Sequence, residues 1–594
     1  MSFIVLILVQ AGCGGGSSSS VAGASKLAAS QSCMNETCHG ATASPVTGTL
    51  IATEWLASVH KSKNGAGCAD CHEPDNGHPN TCNKCHGGGG FGVTVNPDQA
   101  GKCAKCHGPT HPDDAMMTLA PQHYGYSSAR LLPATQRAQY VSGQYVGRCR
   151  ACHNPHNNTL LQNHHDYAKS QHGSPTGVAW SNRDFKANAA CIRCHTTTGF
   201  KAFVASGFTT PTQGFGAGDA TREVLACDGC HSSYDFKNSV RQIPAFTAPY
   251  TADGKAATFP DNGASNLCIP CHAGRASGDD IAKITDFTKA SFVNSHYLAV
   301  AGLMYMKIGF KNFTTMTAPA NAAASASTAK FTYGDSYTMY VGPATPAAPP
   351  GQVNSAHRRF GTPLINGDNH VAPSRGLLAA WLPGTMDTDG PCVTCHLNAA
   401  DSNGALSTNH RTTSHTLAIN TNTFSQVCVN CHYSEVPVNG ITPTAVRTFI
   451  DENAEDFENA LTLAEKVLLA KYNISYNPAA HPYFYDLTVD PTGKTAVKDW
   501  TRGTKDQDFG RRIMGACFNI NLLTREPAAF AHARTYARRL IYDTIDYLDD
   551  RTVNMSVGVT AVATDPVTYV KGTTTATSSR AFNYLCNLTQ PERK

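Results

Sequence analysis

The sequence predicts a chain built mostly of irregular loops and short α-helices, with few β-strands and an α-helical C-terminal module. Two observations lead to this fold class. Up to residue 435 the chain lacks long apolar periodicity and instead repeats a short cysteine–histidine motif. From 436 onward, three stretches carry apolar residues at helical spacing.

The composition indicates that side chains alone do not fill the interior. Hydrophobic residues make up 41% and charged residues 15% of the 594 positions, against a usual ~45–50% and ~25%. The net charge of +4 is spread without a basic stripe. We therefore expect no nucleic-acid partner.

Cysteine usage is the most specific signal, because 20 of the 23 cysteines fall into one pattern. Nine segments read C-x-x-C-H, and a tenth is stretched to Cys-x4-Cys-His. The cysteines of the ten segments are, pair by pair, Cys33 and Cys38, Cys68 and Cys71, Cys82 and Cys85, Cys103 and Cys106, Cys149 and Cys152, Cys191 and Cys194, Cys227 and Cys230, Cys268 and Cys271, Cys392 and Cys395, and Cys428 and Cys431. The histidines that follow them are His39, His72, His86, His107, His153, His195, His231, His272, His396 and His432.

This pattern predicts ten covalently attached c-type hemes. Two thiols form thioethers with the heme vinyl groups, and the adjacent histidine reaches the iron as its proximal ligand. The alternatives are structural zinc or disulfides, but neither requires a histidine directly after every second cysteine. Planar hemes would also fill the interior that the composition leaves short, so the loops and helices are expected to wrap a heme chain.

The chain also holds enough further histidines for a second axial ligand on every iron. Of 25 histidines, fifteen are not in the motifs. The candidate distal ligands are His60, His78, His111, His123, His156, His164, His172, His296, His357, His370, His410, His415 and His481. His165 is the alternative to His164. His532 lies in a helical pattern, for which a core or surface role is favoured.

Iron with two histidine ligands has no open position, so it transfers electrons and does not bind a small substrate. Histidine also lacks the potential-raising effect of methionine, which predicts low redox potentials. No C-x-x-C-K motif, as found in multiheme nitrite reductases, is present. A non-enzymatic carrier or terminal metal reductase is therefore expected.

Motif spacing defines the expected layout. The segments are a signal and lipobox (1–13), a Gly/Ser linker (14–32), hemes 1–4 (33–135), hemes 5–8 (136–290), a long insertion that supplies possible distal histidines (291–385), hemes 9–10 (386–435) and the heme-free helical module (436–594). Within the insertion, residues 330–341 have the alternation of a hairpin.

The C-terminal module is predicted to contain three amphipathic helices. They cover Thr444–Tyr472, Phe509–Leu523 and Ala533–Leu548, and Pro527 fits the first turn of the third. Cys517 and Cys586 lie outside the motifs, and either a disulfide or buried thiols would be consistent with the sequence.

The N-terminus has a short apolar run, Phe3–Val9, followed by Ala11-Gly12-Cys13. No apolar stretch in the sequence reaches the 18 residues of a membrane-spanning helix. The run is typical of a secretion signal, and Cys13 is the expected site of lipidation. An unmodified cysteine in a signal cleaved later, for example after Ala24, is the alternative.

Together these features resemble the outer-surface multiheme cytochromes of dissimilatory metal-reducing bacteria. The resemblance is carried by the lipobox-like start, the ten motifs, Cys191-Ile-Arg-Cys-His-Thr-Thr-Thr-Gly199 and Gly390-Pro-Cys-Val-Thr-Cys-His396. It implies an outer-membrane or cell-surface location, with the periplasm as the alternative. It also implies electron transfer to metal oxides, electrodes, other multiheme cytochromes or porin–cytochrome complexes.

Two alternatives remain open at this point. One is a multiheme reductase with one open-site heme that acts on a small oxyanion. The other is a protomer of a polymeric cytochrome filament, because ligand counting does not separate histidines of one chain from those of a neighbour. The decaheme surface reductases with two β-barrel domains are a close comparison, but strand-like sequence is sparse here.

Complete bis-histidine ligation predicts that the ferric protein is low-spin throughout at neutral pH. Electron paramagnetic resonance and optical spectra of the purified protein test this expectation. A substantial high-spin ferric population would contradict it.

Overall fold

The structure is a computed structural model, and it describes part of the chain. Two long stretches are continuous, 240–313 and 443–588. Shorter described segments are 40–44, 49–58, 170–173, 189–209, 227–232, 357–360, 389–397 and 415–419, together with residue pairs, among them 153–154 and 159–160, and isolated positions. The chain divides into two compact units. The first comprises 1–202 and 210–240, and the second 203–209 and 241–594.

The described part of the first unit consists of short elements. Strands β1 (His153–Asn154) and β2 (Thr159–Leu160) form an antiparallel pair in which His153 lies opposite Leu160. The elements are α1 (Ile51–Ala57), β1 (His153–Asn154), β2 (Thr159–Leu160), α2 (Ala189–His195), α3 (Thr197–Ala205, which ends in the second unit) and α4 (Cys227–Cys230).

The described part of the second unit is mainly helical. Its α-helices are α5 (Ile269–His272), α6 (Gly278–Ala282), α7 (Gly390–His396), α8 (Pro443–Tyr472), α9 (Gln507–Thr524), α10 (Ala529–His532), α11 (Arg534–Asp550), α12 (Val557–Thr564) and α13 (Arg580–Leu585). Further single turns are 3-10 helices at Gly263–Leu267, His357–Arg359 and Thr575–Thr577, and a π-helical turn at Gly302–Met306.

Strands are few in the part of the chain that the structure describes, as the sequence predicts. The second unit has two antiparallel pairs among its described residues: β3 (Thr247–Ala252) with β4 (Lys255–Thr258), and β5 (Ile474–Tyr476) with β6 (Phe484–Asp486). Asp253 and Gly254 join β3 to β4, both at positive φ. An Asp-Gly turn of this kind matches the twist of a tight hairpin.

The three long helices follow the predicted periodicity closely. Phe457, Leu461, Ala464 and Leu468 of α8 are buried, as are the predicted apolar positions of α9 and α11. The Asp506 carboxylate caps α9 by accepting from the N–H groups of the first turn. None of the described helices has both the length and the apolar character that crossing a bilayer requires.

The prediction for Pro527 was wrong. The third long helix, α11, begins at Arg534, and Pro527 instead precedes the separate short helix α10. The break occurs because Ala533 has a non-helical backbone, with φ of −148° and ψ of 48°. This break ends α10 at His532.

The C-terminal helices and the residues around 290–313 share one hydrophobic core. The N–H and C=O groups of Phe310 bond the buried side-chain amide of Asn519 at 2.7 and 2.8 Å. The Tyr536 hydroxyl accepts from the Gly309 N–H at 2.9 Å. Residues 291–313, the start of the expected insertion, are therefore packed against α9 and α11, and a separate C-terminal module is not confirmed.

Two of the three cysteines outside the motifs, Cys517 and Cys586, lie in this core. Cys517 is a buried thiol on α9, and burial raises the pKa of its thiol. The Cys586 sulfur lies 3.7 Å from Glu592 Oε1. No disulfide joins these two cysteines in the described part of the chain.

A buried ion pair gives a test of this core. Arg593 makes two hydrogen bonds to Asp543 on α11, at 2.6 and 2.7 Å, with side chains 1% and 4% exposed. Asp543→Asn is expected to lower the free energy of unfolding by about 3–5 kcal/mol, because it leaves a buried guanidinium without its counter-charge. Denaturant unfolding followed by far-ultraviolet circular dichroism measures this.

The matched control is Asp451→Asn, which removes the partner of Arg447 in an exposed pair on α8. Exposed pairs of this kind stabilise proteins little. Equal effects of the two substitutions would contradict the buried position of Asp543.

Candidate heme centres

Four of the ten motifs are described as helical turns. In the first unit, the motif that ends at His195 lies in α2, and Cys227–Cys230 forms α4, with His231 directly after it. In the second unit, α5 ends at the motif histidine His272 and α7 ends at His396. Residues three and four apart lie on the same face of a helix. One turn therefore presents both thiols and the imidazole to the same side, as attachment to one planar heme requires.

The eight cysteines of these four turns share one environment, because all of them are half-buried. They are Cys191 and Cys194 in α2, Cys227 and Cys230 in α4, Cys268 and Cys271 at the start and within α5, and Cys392 and Cys395 in α7. A half-buried thiol keeps part of its surface accessible to a heme vinyl group. The placement of these cysteines fits heme attachment. The thioether bonds themselves, including those of Cys194 and Cys271, stay a prediction.

In the first unit, Thr196 holds the end of the α2 motif. Its hydroxyl donates to the Ile192 carbonyl and accepts from the Gly199 N–H, each at 2.9 Å. A Cβ on Gly199 would lie 2.1 Å from the Ile192 oxygen. The Thr-Thr-Thr-Gly that follows this motif is thus explained by a tight turn back onto the motif helix.

In the second unit, Ser265 joins the α5 and α7 motifs. Its hydroxyl donates to the Asp389 carbonyl at 2.6 Å and accepts from the Val393 N–H at 3.0 Å. Gly390 lies in this contact at φ +70°, and a Cβ there would approach the Asn262 oxygen to 2.1 Å. Only glycine permits this close packing of the two motifs.

The thiols of neighbouring motifs consequently lie side by side. The Cys392 side chain is hydrogen-bonded to that of Cys268, which lowers the pKa of the Cys392 thiol. Burial raises the pKa of the Cys395 thiol, and the neighbouring Cys428 raises it further. The two cysteines of the ninth motif therefore interact with both neighbours, Cys392 with the eighth motif and Cys395 with the tenth.

Backbone carbonyls orient three of the histidine rings in this unit. The Nδ1 atoms of His272, His396 and His357 lie 3.1, 2.9 and 2.6 Å from the carbonyl oxygens of Leu298, Leu417 and Ala531, respectively. A carbonyl oxygen only accepts, so Nδ1 carries the proton in each ring. The lone pair of Nε2 is then available to a metal, as in other histidine ligands with a fixed tautomer.

Burial favours the same state of these rings. It lowers the pKa of His272 and of His396, and it lowers the pKa of His357 to about 4. A lowered histidine pKa means that the ring is neutral at neutral pH. Neutral imidazole is the form that binds metal.

Two pairs of rings face each other at one distance. The centres of the His357 and His432 rings are 6.1 Å apart, with an interplanar angle of 71°. Those of His396 and His532 are also 6.1 Å apart, at 43°. A metal–imidazole bond is about 2 Å and the ring centre lies about 1 Å further, so two imidazoles that bound one metal from opposite sides would have centres about 6 Å apart.

Comparison with known proteins finds similar polyheme cytochromes. Two strains of Geobacter sulfurreducens have a C-type polyheme cytochrome OmcB that is 28% identical over 623 aligned positions, covering 87% of this chain and 74% of OmcB. OmcC, also a C-type polyheme cytochrome of Geobacter sulfurreducens, is 29% identical over 458 positions, covering 70% of this chain and 50% of OmcC.

The chain is homologous to these polyheme c-type cytochromes. No family model matches it, and no solved structure does. The homology supports multiheme electron transfer by covalently bound heme c.

Arg525 is a further feature of the second unit that fits a bound heme. Its guanidinium lies 3.8 Å from the ring centres of Tyr297 and Tyr483, and its carbonyl accepts from the Leu298 N–H at 3.0 Å. Its Nε and Nη1 are buried with no hydrogen-bond partner among the described residues. A buried cation with unused donors fits a heme propionate, whose carboxylate would accept from them.

The other predicted ligands in the described part have varied positions. His296 lies at φ 76° in the loop before Leu298, and His415 is half-buried just before Leu417. His172 is half-buried in a turn of the first unit. His481 is exposed, with its ring against Tyr483.

Many predicted site residues lie outside the described part of the chain. Cys68 is described as an isolated position, and His153 by its backbone only. The predictions that fall outside are Cys33, Cys38, His39, Cys71, His72, Cys82, Cys85, His86, Cys103, Cys106, His107, Cys149, Cys152, Cys431, His60, His78, His111, His123, His156, His164, His370, His410, the lipidation site Cys13 and the hairpin at 330–341.

Sequence reasoning missed the groups that orient the rings. Leu298 and Leu417 both have positive φ, 50° and 57°, a conformation that costs a side-chain-bearing residue about 1–2 kcal/mol. In both cases the strained residue directs its carbonyl to the histidine of a heme motif. A signal was present, because Ser-His-x-Leu-Ala occurs twice, at 295–299 and 414–418.

The contact between the α5 and α7 motifs gives a test. Gly390→Ala is expected to destabilise the holoprotein by more than the ~1–3 kcal/mol of a strained backbone alone, because a clash with Asn262 adds to the strain. It should also alter circular dichroism in the Soret region, which reports coupling between neighbouring hemes.

Gly503→Ala is the matched control, since Gly503 has φ +80° but no atom within 4 Å of an added Cβ. Thermal unfolding compares the two variants. A Gly390→Ala variant as mild as Gly503→Ala, with unchanged Soret spectra, would contradict the packing of these motifs.

Proposed function

We propose that this chain is a decaheme c-type cytochrome that conducts electrons at the cell surface. In this proposal all ten motifs carry heme, and electrons pass to metal oxides, electrodes or partner multiheme cytochromes, including porin–cytochrome complexes. The homology to polyheme cytochromes supports the redox role. The resemblance to outer-surface cytochromes of metal-reducing bacteria supports the location.

The observation that carries the proposal is the contact between motifs in the second unit. The Cys392 side chain is hydrogen-bonded to that of Cys268, and Cys395 is near enough to Cys428 for the two thiols to interact electrostatically. Since each cysteine would be bonded to the edge of its own heme, three consecutive motifs would bring the edges of their hemes near one another. The iron of each heme would supply a one-electron ferric–ferrous couple. Close spacing of such couples suits conduction along a chain.

The ligand arrangement favours a carrier over a reductase. His357 faces His432 at the separation of two axial ligands on one metal, and we assign it as the sixth ligand of the tenth heme. Its Nδ1 proton is held by Ala531, so Nε2 is the atom that would bind. An iron held from both faces keeps no open coordination position for a small oxyanion.

The proposed anchor and partners rest on sequence features. Ala11-Gly12-Cys13 supports a lipid on Cys13 and attachment to the outer membrane, with the periplasm as the alternative location. A second copy of the chain is a further possible partner, as in a filament. The weak positive charge offers nucleic acid no basic surface.

Voltammetry of the purified holoprotein on an electrode tests the proposed function. We expect a reversible, non-catalytic current whose integrated charge corresponds to ten one-electron centres per chain. Ferric oxide should oxidise the reduced protein. Nitrite, hydroxylamine, tetrathionate and sulfite should give no catalytic current.

Fast, specific turnover of one of these four compounds would instead identify a reductase. The cellular location of the protein is tested in the strain that produces it. External protease should remove the heme-stained band from intact cells, and Cys13→Ser should abolish fatty-acid labelling. A band that stays protected in the unmodified protein would contradict the surface location, and negative-stain filaments would identify the polymeric alternative.

A further inference from the structure

His532 is the residue whose position departs most from its sequence context. It lies in a continuous helical pattern of the sequence, yet α10 ends at this residue because Ala533 is not helical. The centre of the His532 ring lies 6.1 Å from that of His396 in α7. The same separation is found between His357 and His432.

Glu526 holds the His532 ring in one orientation. Its Oε1 lies 2.8 Å from His532 Nδ1, and the Glu526 side chain is 2% exposed while that of His532 is 21% exposed. An ionised carboxylate only accepts hydrogen bonds, so Nδ1 carries the proton. Nε2 is therefore the atom available to a metal.

The group that orients the His532 ring is charged, whereas the groups that orient the other three histidine rings are neutral. His272, His396 and His357 hydrogen-bond neutral carbonyl groups through Nδ1, whereas His532 has a carboxylate. The second oxygen of Glu526, Oε2, is buried with no hydrogen-bond partner among the described residues. Its negative charge is thus directed at the imidazole with little competition.

We propose that His532 is the sixth ligand of the iron attached at Cys392, Cys395 and His396, and that Glu526 makes this heme the lowest in potential of the three in the second unit. A carboxylate on Nδ1 raises the basicity of a ligating imidazole. A more basic ligand and a nearby negative charge both favour ferric over ferrous iron, which lowers the potential. The inference rests on the proposed heme electron transfer.

The effect is not confined to one iron. The charge of Glu526 also acts on His272 of the α5 motif. The eighth heme should therefore feel the same carboxylate more weakly, because it has no hydrogen bond to it. A low-potential heme in the middle of these three would slow electron transfer from the eighth heme to the tenth. It would itself accept electrons from strong reductants.

Glu526→Gln in the holoprotein tests the charge, because glutamine keeps a hydrogen-bond acceptor and removes the negative charge. Spectroelectrochemical titration should show one heme shifted to higher potential, a smaller upward shift in a second, and all hemes still low-spin. Glu452→Gln, on the exposed side of α8 where Glu452 pairs with Arg580, is the matched control and should leave every potential unchanged.

His532→Ala tests the ligand. Electron paramagnetic resonance should show a new high-spin ferric signal that corresponds to one heme, and added imidazole should return it to low spin. His532→Met keeps a ligating side chain, so it should stay low-spin with one heme at higher potential. The heme content of each variant is measured by the pyridine hemochrome method, which separates ligand loss from incomplete heme attachment.

A fully low-spin spectrum of His532→Ala at full heme content would overturn the ligand assignment. Unchanged potentials in Glu526→Gln would overturn the role of the carboxylate. Failure of the proposed function has a different signature: the unmodified protein would itself show catalytic turnover or fewer hemes, whatever the spectra of the variants.

Discussion

The histidine that follows each cysteine pair can bind iron only if its ring is turned to present Nε2, and much of the second unit depends on that requirement. Leu298 and Leu417 adopt strained backbone conformations to place a carbonyl on Nδ1 of His272 and His396. Ala531 places its carbonyl on Nδ1 of His357. Local strain of this kind persists where the surrounding packing determines it, and here the packing comes from the helical core.

That core explains why the C-terminal helices belong to the heme region even though they contain no heme motif. Helices α9 and α11 hold the segment around Phe310 through Asn519 and Tyr536. The turn between α9 and α11 carries Arg525, Glu526, the carbonyl that holds His357, and His532. The break at Ala533 leaves two consecutive residues with different partners: the Ala531 carbonyl accepts from His357, and the His532 ring lies beside His396.

Close packing of the heme motifs suits this chain to electron conduction. The hydroxyl of Ser265 and the missing side chain of Gly390 bring two motif helices together. Histidines from distant parts of the chain lie beside two motif histidines, His357 beside His432 and His532 beside His396. In the proposed function, attachment by one short helical turn and ligation by remote residues are separate tasks. The first would make the cofactor permanent, and the second would set its redox properties.

The sequence by itself indicated the cofactor, the small number of strands in the described part of the chain and the three long helices, and it predicted the cysteines and the proximal histidine of each motif. These follow from patterns within about five residues for the motifs and from apolar periodicity for the helices. Only the tertiary structure decided that His532 faces His396, that Glu526 orients it, and that residues 291–313 are core. The reason is physical: the partners in these contacts lie far apart in sequence, and the helix break at Ala533 is imposed by packing and not by local propensity.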